Sequence, residues 1–91
     1  MNDNYVFRLY VTQDDEDTRE MARRIEEVLA ENLTNVEFEK LNLFENGNAA
    51  LADKVFAVPA LVKAEPKPSL HVVGDLSDRG SVIMLLEKLS P

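Results

Sequence analysis

The sequence predicts an α/β fold: a four-stranded mixed sheet with helices on its faces, its elements running strand, helix, strand, helix, strand, strand, helix. Three observations carry the prediction. A short N-terminal segment is apolar on both of its alternating faces. Beyond it, apolar residues recur at helical spacing over about four turns. Further on, an apolar run is broken first by a proline, then by a Pro-Lys-Pro turn, then by Gly-Asp.

Tyr5 to Val11 is rich in β-branched and aromatic residues and suits a central strand covered from both sides. Met21, Ile25, Val28, Leu29 and Leu33 then mark one face of a helix. Asp17 with Glu20 makes an acidic version of a capping box, and Glu20 to Arg24 is a favourable i,i+4 pair. Asn32 to Asn35 ends the helix. Val36 to Leu43 reads as a strand whose apolar phase slips by one at Lys40, which points to a bulge or to two buried faces. Asn46-Gly47 turns the chain, and Asn48 is placed to cap a short helix through Ala49 to Ala52.

The run from Val55 to Val62 is too apolar for a surface loop, yet Pro59 has no amide to give to a central strand. The resolution is a strand that begins at or just after Pro59, with Val58 held extended and the Val58–Pro59 bond a candidate for cis. Glu65-Pro66-Lys67-Pro68 turns the chain, Leu70 to Val73 runs back beside it, and Gly74-Asp75 ends that strand before Ser77 or Asp78 starts a helix. The last apolar run, Val82 to Leu86, fits a buried strand by hydrophobicity and a buried helix by the spacing Val82, Leu86, Leu89.

At 91 residues with 45% hydrophobic content, the chain is expected to form one domain, residues 1–91, around one modest core. A net charge of -7 repels phosphate backbones and acidic lipid, so nucleic acid and membrane surfaces are not expected partners, and basic patches on proteins are. The chain has no cysteine, which removes thiol–disulfide exchange, thiolate metal sites and disulfide staples. No apolar stretch is long enough to span a bilayer, and Met1 to Asn4 lacks the features of a signal peptide, so a cytoplasmic location is expected.

Candidate chemistry is sparse. Asp14 to Asp17 offers carboxylates without the spacing of a calcium loop and suits a helix N-terminus better. His71 is the single histidine, with no nucleophile patterned near it, and reads as an exposed strand residue. The three glycines are far apart and cradle no phosphate. Pro66-Lys67-Pro68 fits a turn better than a polyproline ligand. No catalytic residue, cofactor or metal is expected, and what is left is surface: the exposed part of the last helix, the edge strands, Arg8 and Lys63.

The segments Asp53-Lys54 to Pro59-Ala-Leu-Val-Lys63, Pro66-Lys-Pro68 and Gly74-Asp75-Leu76-Ser77-Asp78-Arg79 resemble the KaiB family of circadian clock proteins, and Leu9-Tyr10-Val11 is similar too. The likeness is collinear over nearly the whole chain, and the Gly74 to Arg79 hexapeptide is its most specific part. It implies a thioredoxin-like α/β fold and a non-enzymatic adaptor that binds a KaiC-like ATPase, with a KaiA-like protein or a histidine kinase as further partners. The N-terminal sensor domain of clock-linked histidine kinases shares the Pro-Ala-Leu-Val-Lys portion, which makes a sensor-like module of a signalling kinase the alternative. A degenerate thioredoxin-like redox protein is disfavoured, because Thr12-Gln13-Asp14-Asp15 stands where such folds carry Cys-x-x-Cys. Positions marked for partner contact are Arg8, Lys54, Lys63 and Asp75; those marked as fold-determining are Pro59, Pro66, Pro68, Gly74 and Leu85.

The chain departs from the family pattern in charge. Gln13 to Asp17 is acidic where many members have Gly-Asn-Thr-Pro, Leu70-His71 stands for paired arginines, and Glu39 falls where lysine is common. Family members are also said to use a second fold, associated with tetramers, in which the C-terminal half becomes two helices and a strand. Members favouring it tend to carry a glycine where this chain has Leu85. Met84 to Leu89 are strong helix formers, a local balance toward helix of about 1 to 2 kcal/mol, so the thioredoxin-like form and a largely monomeric state are expected.

Overall fold

The computed structural model describes residues 4–74, 76 and 79–87. The elements are β1 (Tyr5–Val11), α1 (Glu16–Asn32), β2 (Val36–Asn42), α2 (Gly47–Ala52), β3 (Ala60–Glu65), β4 (Leu70–Val73) and α3 (Arg79–Glu87). This is the expected order. The four strands form one mixed sheet in the order β2-β1-β3-β4, with β1 parallel to β2, β3 antiparallel to β1, and β4 antiparallel to β3. It is a thioredoxin-like α/β fold.

The alternation along β1 sorts its side chains between two cores. Phe7, Leu9 and Val11 join Ile25, Val28 and Leu29 of α1, Leu61 of β3 and Val82 of α3. On the other face Tyr10 joins Ala50 of α2 with Val62 and Ala64, and Val6 packs against them. A strand with helices over both faces has no side left for water, which is why the sequence of β1 is apolar at both phases.

β2 resolves the phase slip in favour of two buried faces. Its register against β1 is unbroken from Tyr5↔Val36 to Val11↔Asn42, so it contains no bulge. Val36 and Phe38 pack toward α1, whereas Leu41 and Leu43 pack toward α2. The irregularity in the sheet lies elsewhere, between Val6 and Phe7, where Ala64 of β3 is skipped in the pairing.

Two helix caps differ from expectation. The N-cap of α1 is Asp15, two residues before Asp17, and its carboxylate accepts the Thr18 amide at 2.8 Å. That bond holds the Asp15 carboxyl below the ordinary range. Asp17 falls inside the first turn, where its charge suits the helix N-terminus. The expected pairing of Glu20 with Arg24 is present at 3.3 Å. Asn48 does not cap α2, which starts two residues earlier than expected, at Gly47 with Asn46 in the cap position, after an Asx turn in which the Asn42 side chain accepts from the amides of Phe44 and Glu45 at 2.9 and 3.2 Å.

β3 starts at Ala60, just after Pro59, and the Val58–Pro59 bond is cis as the sequence suggested; Glu65–Pro66 and Lys67–Pro68 are cis as well. β4 ends at Gly74, whose φ of 115° is a conformation that favours glycine. The open choice at the C-terminus falls to helix: Val82 to Leu86 lies within α3, with Val82 buried in the core beneath α1. Ser77 and Asp78, expected to start that helix, lie outside the described residues, as do Asp75 and Leu89. No helix among the described residues is long and apolar enough to cross a membrane.

Candidate functional site

The α2 layer is built around one buried carboxylate. Arg8 and Tyr10 alternate with the core residues of β1 and so face α2. Asp53, directly after α2, is 7% exposed and reaches down to both of them. Arg8 Nη1 donates to Asp53 Oδ1 and Oδ2 at 3.1 and 3.0 Å, and the Tyr10 hydroxyl donates to Oδ2 at 2.5 Å. On the far side of the sheet's centre, His71 of β4 donates from Nε2 to the Asp53 backbone carbonyl at 2.5 Å. One residue thus ties α2 to the interior strand β1 and to the edge strand β4.

The electrostatics follow from the burial. Burial, then the hydrogen bond and charge of Asp53, push the Tyr10 hydroxyl far above its ordinary range, so it stays a donor. For Arg8, burial works against the charge, but the bond to Asp53 and its negative charge outweigh it and raise the pKa. Glu39 adds a looser ion pair to Arg8 at 3.9 Å.

Above this hub the α2 layer shows apolar side chains to solvent. Leu43, Ala50 and Val55 pack into the α2-side core, and the residue after each one turns outward: Phe44 is 79% exposed, Leu51 70% and Phe56 84%. Isolated exposed apolar residues are ordinary; three large ones on the segments of a single layer make that layer the candidate docking face. Among the described residues no group of histidines, cysteines or acids could hold a metal ion.

The residues marked from sequence divide. Arg8 belongs to the hub and is engaged internally. Lys54 is exposed beside the hub, with a left-handed φ of 59° that turns the chain out of α2. Lys63 is not the surface cation that was expected: it is 5% exposed, because β3 is an interior strand and Lys63 lies between Phe7 and Leu70. Burial holds its ammonium below the ordinary lysine range. Asp75 lies outside the described residues. Of the fold-determining positions, Pro59 stands directly before β3, Pro66 and Pro68 lie between β3 and β4, Gly74 follows β4, and Leu85 lies within α3.

Asp53 and Tyr10 were not singled out from sequence. A signal was available: Arg8 is the one charge inside an otherwise apolar strand, and a charge buried there needs an acidic partner. The departures from the family pattern also have local uses. His71 holds the Asp53 carbonyl, Glu39 faces Arg8, Asp14 pairs with Lys40 at 2.7 Å, and Asp15 caps α1.

Comparison with known proteins gives the family. The model of the KaiB domain matches residues 8–88. The circadian clock oscillator protein KaiB of Microcystis aeruginosa is 33% identical over 86 residues, a match spanning 93% of this chain and 83% of that protein. The chain belongs to the KaiB family. A second relative, the circadian clock oscillator protein KaiB of Prochlorococcus marinus, is 31% identical over 93% of this chain and 72% of its own length. Solved structures support the thioredoxin-like form of this KaiB-family chain. The N-terminal domain of Synechococcus elongatus SasA matches with a TM-score of 0.73 at 19% identity, covering 100% of this chain and 90% of that one. Thioredoxin 1 of Thermosipho africanus matches at 0.70 and 14% identity, covering 92% of each. At those identities the likeness is one of fold. A KaiB-family chain without a cysteine has no thiol to exchange.

Proposed function

We propose that the protein is a clock-type adaptor which, in this thioredoxin-like form, docks through its α2 face on a KaiC-like ATPase and there captures further partners, a KaiA-like protein or a histidine kinase. The observation that carries the reading is the apolar fringe of Phe44, Leu51 and Phe56, exposed in a chain whose relatives are circadian clock oscillator proteins. Burying each of these side chains contributes about 1.5–3 kcal/mol, enough together to offset much of the cost of association. The net charge of -7 directs the face toward a basic patch and speeds the encounter at low salt.

The test is retention of a nucleotide-loaded KaiC-like ATPase from the same source on the immobilised protein at low salt. Wild type retains it, and Leu51→Ser or Phe56→Ser releases it. No retention by wild type under these conditions overturns the reading.

A further inference from the structure

The connection from Asp53 to Pro59 carries Phe56, and its two ends are held by β4 and by Gly74, the residue that follows it. At one end the His71 imidazole donates to the Asp53 carbonyl at 2.5 Å. At the other the Gly74 amide donates to the Pro59 carbonyl at 3.1 Å. Between these points Lys54 and Val55 are still tied back to α2, through Leu51 and Ala50. Phe56, Ala57 and Val58 make no backbone hydrogen bond among the described residues. A three-residue span with no bonds of its own takes its path from its anchors. Asp53 is itself fixed to β1 by Arg8 and Tyr10, so the first anchor is rigid with respect to the sheet.

We propose that β4 and Asp53 form a positioning clasp for the docking face: His71 and Gly74 hold the two ends of the 53–59 connection, and Phe56 engages its partner productively only while both are held. The inference rests on the docking reading above. Neither His71 nor Gly74 needs to touch the partner; they act through Phe56. Gly74 pairs its amide with Pro59 while its φ of 115° turns the chain away from β4, a conformation that a side chain strains.

The experiment measures amide hydrogen exchange and affinity for the nucleotide-loaded ATPase in His71→Ala, His71→Gln, Gly74→Ala and Phe56→Ala. In His71→Ala, exchange at Lys54 and Val55, the bonded amides beside the anchor, quickens by about tenfold while Ile25 and Leu29 of α1 are unchanged, and affinity falls by a similar factor. Gln restores both, because its side-chain amide supplies a donor. Gly74→Ala reproduces the effect from the other end. Unchanged exchange at Lys54 and Val55 in both His71→Ala and Gly74→Ala overturns the clasp, as does loosening that leaves affinity intact while Phe56→Ala abolishes it. If Phe56→Ala binds as well as wild type, the docking reading fails instead, and the exchange measurement still decides whether the clasp exists.

Discussion

Replacing Asp53 with asparagine keeps the shape of the buried hub and removes its charge. The carboxylate accepts from Arg8 at 3.1 and 3.0 Å and from Tyr10 at 2.5 Å, whereas an amide has one accepting oxygen and turns an NH2 toward the other donors. A buried donor left facing another donor costs about 1–3 kcal/mol. Arg8 also loses its main counter-charge, a loss tempered because its side chain is 31% exposed and Glu39 lies 3.9 Å away. Together these give a destabilisation of about 3 kcal/mol, the lower edge of what breaking a buried ion pair costs. Set against a total stability of roughly 5–13 kcal/mol for a chain of this length, that is a large share. Thermal unfolding followed by far-ultraviolet circular dichroism should show Tm falling by about 12–24 °C, and urea titration should show a matching fall in the midpoint with m unchanged. A loss below about 1 kcal/mol, the value of an exposed pair, would show that the hub is solvated and that Asp53 does not organise the α2 layer.

Three further outcomes follow from the same geometry. Lys63→Met should raise Tm by about 4–8 °C, a gain of about 1 kcal/mol, because burial depresses the lysine pKa and its charge costs stability until the pH rises toward the unfolded value near 10.5; a lower Tm would show that the ammonium is well solvated. Tyr10→Phe should lose about 1–2 kcal/mol at neutral pH. Because the folded pKa of Tyr10 lies above its unfolded value, its contribution is intact below about pH 10 and is lost as the pH rises further, so the difference between wild type and Tyr10→Phe should shrink on the alkaline side; a constant difference would contradict the assignment. Leu85→Gly should weaken α3 by about 1 kcal/mol, and light scattering should find wild type monomeric and the glycine variant shifted toward a larger species; tetrameric wild type would contradict the dominance of this form.

Much of the architecture was legible because each strand announces its surroundings. Tyr5 to Val11 is apolar at both phases because helices cover both sides of it, and Pro59 could only stand at the head of β3. The slip at Lys40 carried real information, since β2 changes the face it buries along its length, but local pattern alone could not separate that from a bulge. Caps were harder. Four consecutive acidic residues offer several chemically equivalent starts, and which carboxylate meets an amide is decided by where the chain leaves β1. Lys63 misled because alternation reports sides of a sheet, not neighbours: an interior strand buries even a lysine when Phe7 and Leu70 flank it. The Asp53 hub joins residues up to 45 apart, a pairing that only the sheet order creates.

The docking face itself can be tested by nuclear magnetic resonance. Isotope-labelled protein would be titrated with unlabelled, nucleotide-loaded KaiC-like ATPase, following the backbone amides residue by residue. Signals of Phe44, Leu51 and Phe56 should broaden first and most, while Arg23 and Glu27, exposed on α1 across the sheet, should persist until the whole complex tumbles slowly. Broadening that begins on α1 and spares the α2 layer, or a spectrum indifferent to the ATPase, would contradict the assignment of this face to partner binding.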